Sequence, residues 1–248
     1  MQLENMIQAG SVFWIVAPHA DDEALGCGGL MSVARRMQAK VYVLFVTLSG
    51  YVPLDAGQVS SHNERRAEVN AAMACAGVDG HDILYDNGRH HCYLDTVPLK
   101  EMLDWLESES VYSFCKVQPN VLLVPSGWHS HQDHRQVSEA VSALFRVNPL
   151  HNHVNRVILE YEIPGMGMPG IRPFEPNMFV ELSTEDLEQK CRHFENYGSQ
   201  LAPAPHPRSS HAIRALAAHR GVEAGYDYAE AFRLLRACVG RQEYPSLD

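Results

Sequence analysis

The first two-thirds of the chain alternate short apolar segments with segments of helical apolar spacing. The apolar segments predict strands at Val12–Ala17, Val41–Thr47, Asp82–Tyr85, Val121–Val124 and Arg156–Tyr161. The segments between them predict helices at Gly28–Gln38, Ser61–Ala76, Leu99–Phe114 and Gln136–Phe145. Apolar strands that alternate with helices are typical of a mostly parallel sheet with helices on both faces. We therefore predict a Rossmann-like α/β fold with its functional site at the carboxyl ends of the strands.

The last third of the chain has a less regular pattern. We predict a strand at Phe179–Leu182, a helix from Ser183 to about Asn196, and a closing helix at Tyr228–Val239. Residues 165–170 and 202–207 are rich in glycine or proline and predict irregular loops, either plain surface connections or the borders of a cleft. Because no repeat or linker divides the sequence, we expect one domain over residues 1–248.

The composition limits the partners of the protein. A length of 248 residues suits one α/β domain with a full core. The net charge of −10 argues against a nucleic-acid backbone or an anionic membrane surface as the main partner. No apolar run approaches the ~20 residues that cross a bilayer, and the N-terminus lacks the pattern of a signal peptide. The six scattered cysteines form no CxxC pair and indicate reduced thiols in a cytoplasmic protein, which could be a monomer or a homo-oligomer.

Residues 18–23 crowd one histidine and three carboxylates at the end of the first predicted strand. The residues concerned are His19, Asp21, Asp22 and Glu23. Carboxylates this close repel one another unless a cation neutralises them. The alternative interpretation is an acidic start to the following helix, favoured by the helix dipole. That alternative accounts for the carboxylates but not for the histidine.

A second polar cluster follows the fourth predicted strand. Residues 129–134 read His-Ser-His-Gln-Asp-His, shortly after an apolar run that Pro125 closes. A surface loop with a helix cap at Asp133 is the simplest alternative interpretation. However, the carboxyl ends of parallel strands meet at one edge of a sheet, so the fold can bring both clusters together. This agreement of position and chemistry favours a shared site.

Together the two clusters predict a catalytic metal centre. Catalytic zinc takes three histidine or carboxylate ligands and leaves one position open for water. His19 and Asp22 are three residues apart and can converge on one ion. Of His131 and His134, one could be the third ligand while the other faces the substrate. These nitrogen and oxygen donors suit Zn²⁺ without excluding Fe²⁺, Mn²⁺ or Co²⁺.

The glycine-rich segment Gly26–Gly29 offers a competing interpretation, namely a dinucleotide-binding loop. It follows a predicted strand, but it lacks the GxGxxG spacing. In addition, Thr47 rather than an acidic residue ends the second predicted strand. We expect instead that these glycines let a helix pack closely behind the first cluster.

Both clusters resemble the signature motifs of a known family. Residues 18–23, Pro-His-Ala-Asp-Asp-Glu, resemble the PHPDDE motif of the PIG-L/LmbE-like family of zinc-dependent N-acetylglucosaminyl deacetylases. Residues 131–135, His-Gln-Asp-His-Arg, resemble that family's HPDHR motif. Further similar positions are Arg65, Glu68, Ala72, Gly77, Gln118–Val121, Lys190, Ser199–Gln200 and Tyr228–Phe232. The resemblance therefore extends over nearly the whole chain.

The resemblance implies a hydrolase that removes the N-acetyl group from an N-acetylglucosamine-type sugar or small glycoconjugate, releasing acetate and a free amine. It implies zinc bound by His19, Asp22 and His134. It also implies roles for Asp21 as general base, for His131 as the oxyanion donor that helps to protonate the amine, and for Asp133 in orienting a histidine. The implied substrate contacts are Arg65, Asp86, His129 and Tyr197, although a buried salt bridge would account equally well for Arg65.

The sequence departs from the family's pattern at four positions. Ala20 and Gln132 replace prolines of the two motifs, and we expect this to change only the stiffness of each turn. His129 stands where some relatives carry tyrosine, and Tyr197 where the family often has histidine, which leaves the acyl group and the sugar open. Two alternative functions remain: a metal-dependent amidase for a non-sugar N-acyl substrate, and a non-catalytic carbohydrate-binding relative. The first would use the same ligands, whereas the second would be expected to lack a ligand or the base.

Overall fold

The computed structural model describes residues 10–50, 60–145, 156–166 and 172–238. Its strands are β1 (Val12–His19), β2 (Lys40–Thr47), β3 (Gly80–Tyr85), β4 (Val121–Pro125), β5 (Arg156–Tyr161), β6 (Met178–Glu181) and β7 (Ala229–Cys238). Its helices are α1 (Asp22–Arg36), α2 (His62–Ala76), α3 (Leu99–Asp104), α4 (Phe114–Val117), α5 (Gln132–Leu144), α6 (Thr184–Glu195) and α7 (Ser210–Ala224). Within the described residues, no helix has both the length and the apolar character needed to span a bilayer.

The strands form one seven-stranded sheet in the order β3-β2-β1-β4-β5-β7-β6. Strands β1 to β5 pair in parallel, whereas β7 is antiparallel to both β5 and β6. The chain runs outward from β1 to β3 and then returns to the other side of β1 with β4. Such a reversal opens a crevice at the carboxyl ends of the two strands between which it occurs, here β1 and β4. The structure thus confirms the predicted α/β fold with a mostly parallel sheet.

Successive side chains of β1 enter two different cores. Phe13 and Ile15 pack in a core that includes residues of α1, α2, α6 and α7. Trp14 and Val16 point to the opposite face, where residues of α3 and α5 pack. All four side chains are buried. Because both faces are covered, a register shift of one residue would disrupt the packing of both cores, and the position of the strand end is therefore fixed.

The predicted closing helix at Tyr228–Val239 is wrong. Residues 229–238 form β7, which lies between β5 and β6, and Val239 lies outside the described residues. The segment is rich in alanine, glutamate, leucine and arginine, which favour helix in isolation. Hydrogen bonding to a strand on each side outweighs that local preference.

Glu230 of β7 connects the sheet to the helix that carries the first motif. Its carboxylate accepts the backbone N–H of Gly29 at 2.7 Å and of Leu30 at 2.6 Å. It also accepts from Lys190 Nζ of α6 at 2.6 Å, and both charged side chains are almost fully buried. A buried ion pair with further hydrogen bonds satisfies the charges that burial would otherwise penalise. This contact sets where α1 lies against the sheet.

Three other helix predictions need correction. Helix α1 begins at Asp22 instead of Gly28, and α5 begins at Gln132 instead of Gln136, so both motifs enter the first turns of helices. The predicted helix Leu99–Phe114 is interrupted: α3 continues as a single π-helical segment, Trp105–Glu109, and the chain becomes helical again only at Phe114. Helix α7 is absent from the sequence-based prediction.

Residues 202–207 are irregular, as predicted from their prolines. Of the second predicted loop, only Gly165 and Met166 lie within the described residues. All six cysteines are free thiols. That residues 1–248 form a single domain stays a prediction.

The glycines of α1 allow the close packing that the sequence predicts. A Cβ atom on Gly26 would overlap the ring of Tyr161, which is fixed because its hydroxyl donates to Val16 O at 2.9 Å. A Cβ atom on Gly29 would lie 2.6 Å from Leu182 Cδ1. Packing, rather than a dinucleotide, therefore accounts for these residues.

Gly26→Ala is expected to lower the free energy of unfolding. Overpacking against the fixed ring costs ~1–3 kcal/mol, which exceeds the gain of at most ~1 kcal/mol from replacing a helical glycine. Gly198→Ala is the control, because its new Cβ would have no atom nearer than 3.7 Å. Urea denaturation of both variants measures the difference; a Gly26→Ala protein as stable as wild type would contradict the packing argument.

Candidate metal centre and active site

The two sequence motifs meet at the crevice between β1 and β4. His19 is the last residue of β1, and Asp22 begins α1 directly after the turn. His134 lies in the first turn of α5, which follows β4. The three side chains are more than a hundred residues apart in sequence at their extremes, yet their donor atoms lie within 4.8 Å of one another. The fold therefore brings together the three residues predicted as metal ligands.

The spacing of these donor atoms fits a tetrahedral divalent cation. Asp22 Oδ2 lies 3.4 Å from His19 Nδ1 and 3.2 Å from His134 Nε2. In a tetrahedral site with bonds of about 2.0–2.1 Å, ligand atoms lie about 3.3 Å apart. All three side chains are at most one-tenth exposed. Two imidazole nitrogens and one carboxylate oxygen at these separations fit zinc.

The pKa shifts within the cluster also indicate that a positive charge is favoured there. Burial lowers the pKa of His19, but hydrogen bonds to Asp133 and Asp22 outweigh it and raise the pKa to about 9. Burial would raise the pKa of Asp22, but His134 and then His19 hold it well below its usual range. The carboxylates thus favour a positive group at this position, and a divalent cation would supply it.

Asp133 orients the predicted ligand His19 through the ring nitrogen that faces away from the donor set. Its Oδ2 lies 2.8 Å from His19 Nε2 and also accepts the backbone N–H of Cys92 at 2.8 Å, while Oδ1 accepts from Leu94 N at 3.1 Å. A carboxylate on the second nitrogen of a histidine ligand fixes its ring and tautomer. His19, Cys92, His131 and Asp133 form a second set of donors close together. Because Asp133 is already occupied by His19 and two amides, we interpret it as a supporting residue.

Asp21 lies beside the metal site but is not one of its ligands. Its backbone has a φ of 146°, a region that non-glycine residues rarely adopt. Its Oδ2 is buried without a hydrogen-bond partner among the described residues, and it forms an ion pair with Arg208 Nε at 3.5 Å. Burial raises the pKa of Asp21 and Arg208 partly offsets this, which leaves the pKa at about 6. Asp21 is therefore a carboxylate with an oxygen open to accept a hydrogen bond, and it can take up a proton near neutral pH.

Glu23 holds the unusual backbone of Asp21. Its Oε2 accepts the backbone N–H of Asp21 at 3.2 Å, and its Oε1 accepts from the Tyr197 hydroxyl at 2.6 Å. Glu23 and Tyr197 are both fully buried. The predicted substrate contact of Tyr197 needs correction, because its side chain lies beneath the turn and does not line the cavity.

His131 presents a hydrogen-bond donor to the same cavity. It caps α5 through Nδ1, which accepts the backbone N–H of Asp133 at 3.2 Å. The proton of the neutral ring must then lie on Nε2, which is 3.7 Å from Cys92 Sγ on the cavity wall. Burial, followed by the charge of His19, lowers the pKa of His131 to about 4, so the ring is neutral at physiological pH.

These side chains line a cavity of roughly 370 Å³, which is within the usual range for small-molecule sites. The residues predicted from sequence that line it are His19, Asp21, Asp22, Arg65, His129, His131 and His134. Asp86 does not line the cavity, because it forms ion pairs with His62 at 2.8 Å and with Arg66. Asp133 does not line the cavity either, because its carboxylate contacts His19 Nε2.

Arg65 forms the buried salt bridge that the sequence left open, and its substrate contact stays a prediction. It is buried, pairs with Glu68 at 2.6 Å and donates to the carbonyl of Ala20 in the first motif. It also lines the cavity. His129 stacks on the ring of His134 with centroids 4.1 Å apart, so it both borders the cavity and restricts the orientation of a predicted ligand.

Several cavity residues were not predicted individually as site residues, although Gly165 and His206 lie in the two loops that the sequence offered as possible borders of a cleft. They are Ser49, His91, Cys92, Gln200, His206 and Arg208, together with Ile163–Gly165. Most come from loops without a recognisable motif. Gln132 is expected from sequence only to change turn stiffness, yet its Nε2 donates to the carbonyl of Cys92 at 2.7 Å and fixes the neighbouring loop. The sequence signal that could have indicated this contact was the polar residue in place of a motif proline.

Comparison with solved structures shows the same fold in proteins of low sequence identity. N,N'-diacetylchitobiose deacetylase from Pyrococcus horikoshii is 22% identical, with 95% of this chain and 87% of that chain covered and a TM-score of 0.69. The conserved protein TT1542 from Thermus thermophilus is 24% identical, with coverages of 95% and 98% and a TM-score of 0.68. The 4-carboxy-2-hydroxymuconate hydratase GalB from Pseudomonas putida is 15% identical, with coverages of 94% and 100% and a TM-score of 0.68. No curated protein matched the chain.

Because a deacetylase and a hydratase share this fold, the fold alone does not determine the reaction. The sequence motifs are more specific. The family model of PIG-L, described as GlcNAc-PI de-N-acetylase, matches residues 14–145. That match covers more than half of the chain and contains both motifs that build the metal site, and the chain therefore belongs to the PIG-L family.

Proposed function

We propose that the protein is a metal-dependent hydrolase that removes the N-acetyl group from N-acetylglucosamine-type sugars. One observation carries the proposal: a buried carboxylate, Asp21, whose Oδ2 accepts no hydrogen bond from the described residues, shares a cavity with the His19–Asp22–His134 donor set. Amide hydrolysis requires a base for water and a site that polarises the carbonyl, and these residues supply both. Membership of the PIG-L family supports the same reaction.

We propose Zn²⁺ as the metal that His19, Asp22 and His134 hold. When bound, the ion would lower the pKa of water and polarise the amide carbonyl. The support is the donor chemistry and the distances from Asp22 Oδ2 to the two imidazole nitrogens, which both suit a tetrahedral site. Fe²⁺, Mn²⁺ and Co²⁺ accept the same ligands, so metal analysis of the purified protein is the direct test.

Side chains of the protein would supply the base, the oxyanion donor and the proton for the amine. Asp21 would accept the proton of the attacking water, since its Oδ2 accepts no competing hydrogen bond from the described part of the chain. His131 would donate from Nε2 to the developing oxyanion, a contact worth about 3 kcal/mol when preorganised. The amine must also receive a proton. Asp21 holds one after the attack, and the family resemblance implies that His131 assists.

Two cavity residues are proposed to position the sugar. His129 lies against His134, and Arg65 lies beneath the first motif, and both line the cavity. We do not extend this role to Asp86 or Tyr197, whose side chains lie elsewhere. A cytoplasmic location, a small-molecule sugar as the partner and the assembly state remain predictions.

The test is acetate release from N-acetylglucosaminides that differ only in the aglycone. The metal-loaded protein is expected to release acetate from at least one of them and to leave the free amine, both measured in the same reaction. A non-sugar N-acyl amide panel is run in parallel. Turnover of the amides alone would replace this proposal by the amidase alternative, and turnover of neither panel would contradict a hydrolase function.

A further inference from the structure

His91 lines the cavity although neither motif contains it. It lies in the segment that follows β3, and its ring centroid is 4.8 Å from that of His19. Its position next to the metal site but outside the donor set raises the question of what its ring offers to a bound molecule.

Hydrogen bonding on one side of the ring fixes which nitrogen of His91 carries the proton. The hydroxyl of Thr47 donates to the carbonyl oxygen of Pro18 at 3.0 Å. The same hydroxyl oxygen lies 3.2 Å from His91 Nδ1. A hydroxyl has only one proton, and Pro18 receives it, so Nδ1 must be the donor in the second contact. In the neutral ring, Nε2 then carries a lone pair.

The backbone around His91 is held in place from the opposite motif. The N–H of Cys92 donates to Asp133 Oδ2 at 2.8 Å, and its carbonyl accepts from Gln132 Nε2 at 2.7 Å. Leu94 N donates to Asp133 Oδ1 at 3.1 Å. Three hydrogen bonds within three residues preorganise the segment, as a specific ligand contact requires.

The lone pair of His91 complements the other groups of the cavity. His131 presents an N–H, and Arg65 and Arg208 can only donate. Asp21 and Asp22 carry charge and have roles in the reaction and in metal binding. His91 therefore adds a neutral acceptor to a wall rich in donors, and a neutral acceptor is matched by a hydroxyl group.

We propose that His91 is a specificity-determining residue whose Nε2 accepts a hydrogen bond from a ring hydroxyl of the bound sugar. This inference rests on the proposed function, since it names a contact to that substrate. It predicts that the enzyme distinguishes a sugar from its deoxy analogue at one ring position through this residue.

The first test reads the tautomer directly and does not depend on activity. ¹⁵N NMR of the histidine side chains in the metal-loaded full chain is expected to show His91 with a protonated Nδ1 and an unprotonated Nε2. The spectrum of the His91→Gln variant assigns the signals by their absence. A protonated Nε2 on His91 in the wild-type protein would overturn the proposal.

The second test is a cycle of variants and substrates. Wild type is expected to lose ~10- to 100-fold in kcat/KM on one monodeoxy N-acetylglucosaminide, the range for a buried hydrogen bond left unmade. His91→Leu should lose a similar factor on the parent sugar and nothing further on that analogue. His91→Gln, which can still accept, should remain within a few-fold of wild type. His90→Leu is the matched control, because His90 packs on Tyr85 and does not line the cavity.

The proposal would be overturned if the losses in kcat/KM from His91→Leu and from the missing hydroxyl were independent, so that the variant lost both on the deoxy sugar. If wild type releases no acetate from any sugar, the proposed function fails, and binding of the same sugars measured by calorimetry then decides this inference separately. Weaker binding by His91→Leu than by wild type would support the contact. Equal binding, or no binding by either protein, would overturn it. Metal content must match in every variant compared.

Discussion

Replacing Asp21 by asparagine is expected to lower kcat by ~10³-fold while the protein keeps its metal. Positioned general bases contribute ~10²–10⁴-fold to rate, and among the described residues Asp21 is the cavity-lining carboxylate with a buried oxygen that accepts no hydrogen bond. Asparagine has nearly the same shape, so the backbone held by Glu23 need not move. The loss should therefore fall on kcat and not on metal affinity or folding.

Three measurements on the Asp21→Asn protein separate these effects. Metal content by elemental analysis and the midpoint of thermal unfolding should both match wild type, while acetate release falls. The matched control is Asp79→Asn, which removes a carboxylate that pairs with Arg35 on the surface, away from the cavity. An Asp21→Asn enzyme within tenfold of wild type would exclude Asp21 as the base.

Replacing His134 by alanine is expected to abolish metal binding at ordinary metal concentrations. Loss of a residue that merely supports a ligand costs ~10–100-fold in metal affinity, and loss of a ligand should cost more. His134 Nε2 lies 3.2 Å from Asp22 Oδ2, within the donor set, and the side chain is buried. Competition with a chromophoric chelator measures the affinity without any need for activity.

Two neighbours of His134 make the comparison specific. Asp133→Asn alters the residue behind His19 and should weaken metal binding by ~10–100-fold. His129→Ala removes a ring that stacks on His134 but that is outside the donor set, and it should have the smallest effect. Equal affinities for His134→Ala and His129→Ala would contradict the assignment of the ligands.

The sequence predicted which side chains come together at the crevice because that information is local. His19 to Asp22 and His131 to His134 are short runs that directly follow apolar strands, and parallel strands bring such ends together. Cavity residues outside the two motifs were harder to predict. His91 and Arg208 lie in loops whose course depends on hydrogen bonds from distant residues, such as Asp133, and no periodicity encodes these.

The errors in the fold have the same origin. The residues of β7 favour helix locally, and only pairing with β5 and β6 makes them a strand. The family resemblance implied substrate contacts for Asp86 and Tyr197, but His62 and Glu23 bind these side chains away from the cavity. In each case a contact distant in sequence decides between two locally acceptable structures.

The position of Asp133 has a thermodynamic consequence. One carboxylate binds the outer nitrogen of His19 and the amides of Cys92 and Leu94, so an ion at His19 and the order of the loop next to it share a partner. Linkage requires that whatever the ion gains from an ordered loop, the loop gains equally from the ion. Loading the protein with metal should thus slow amide hydrogen exchange at Cys92 and Leu94. A substitution that disorders this loop, although far from the ligands, should weaken metal binding by the free energy that couples the ion to the ordered loop.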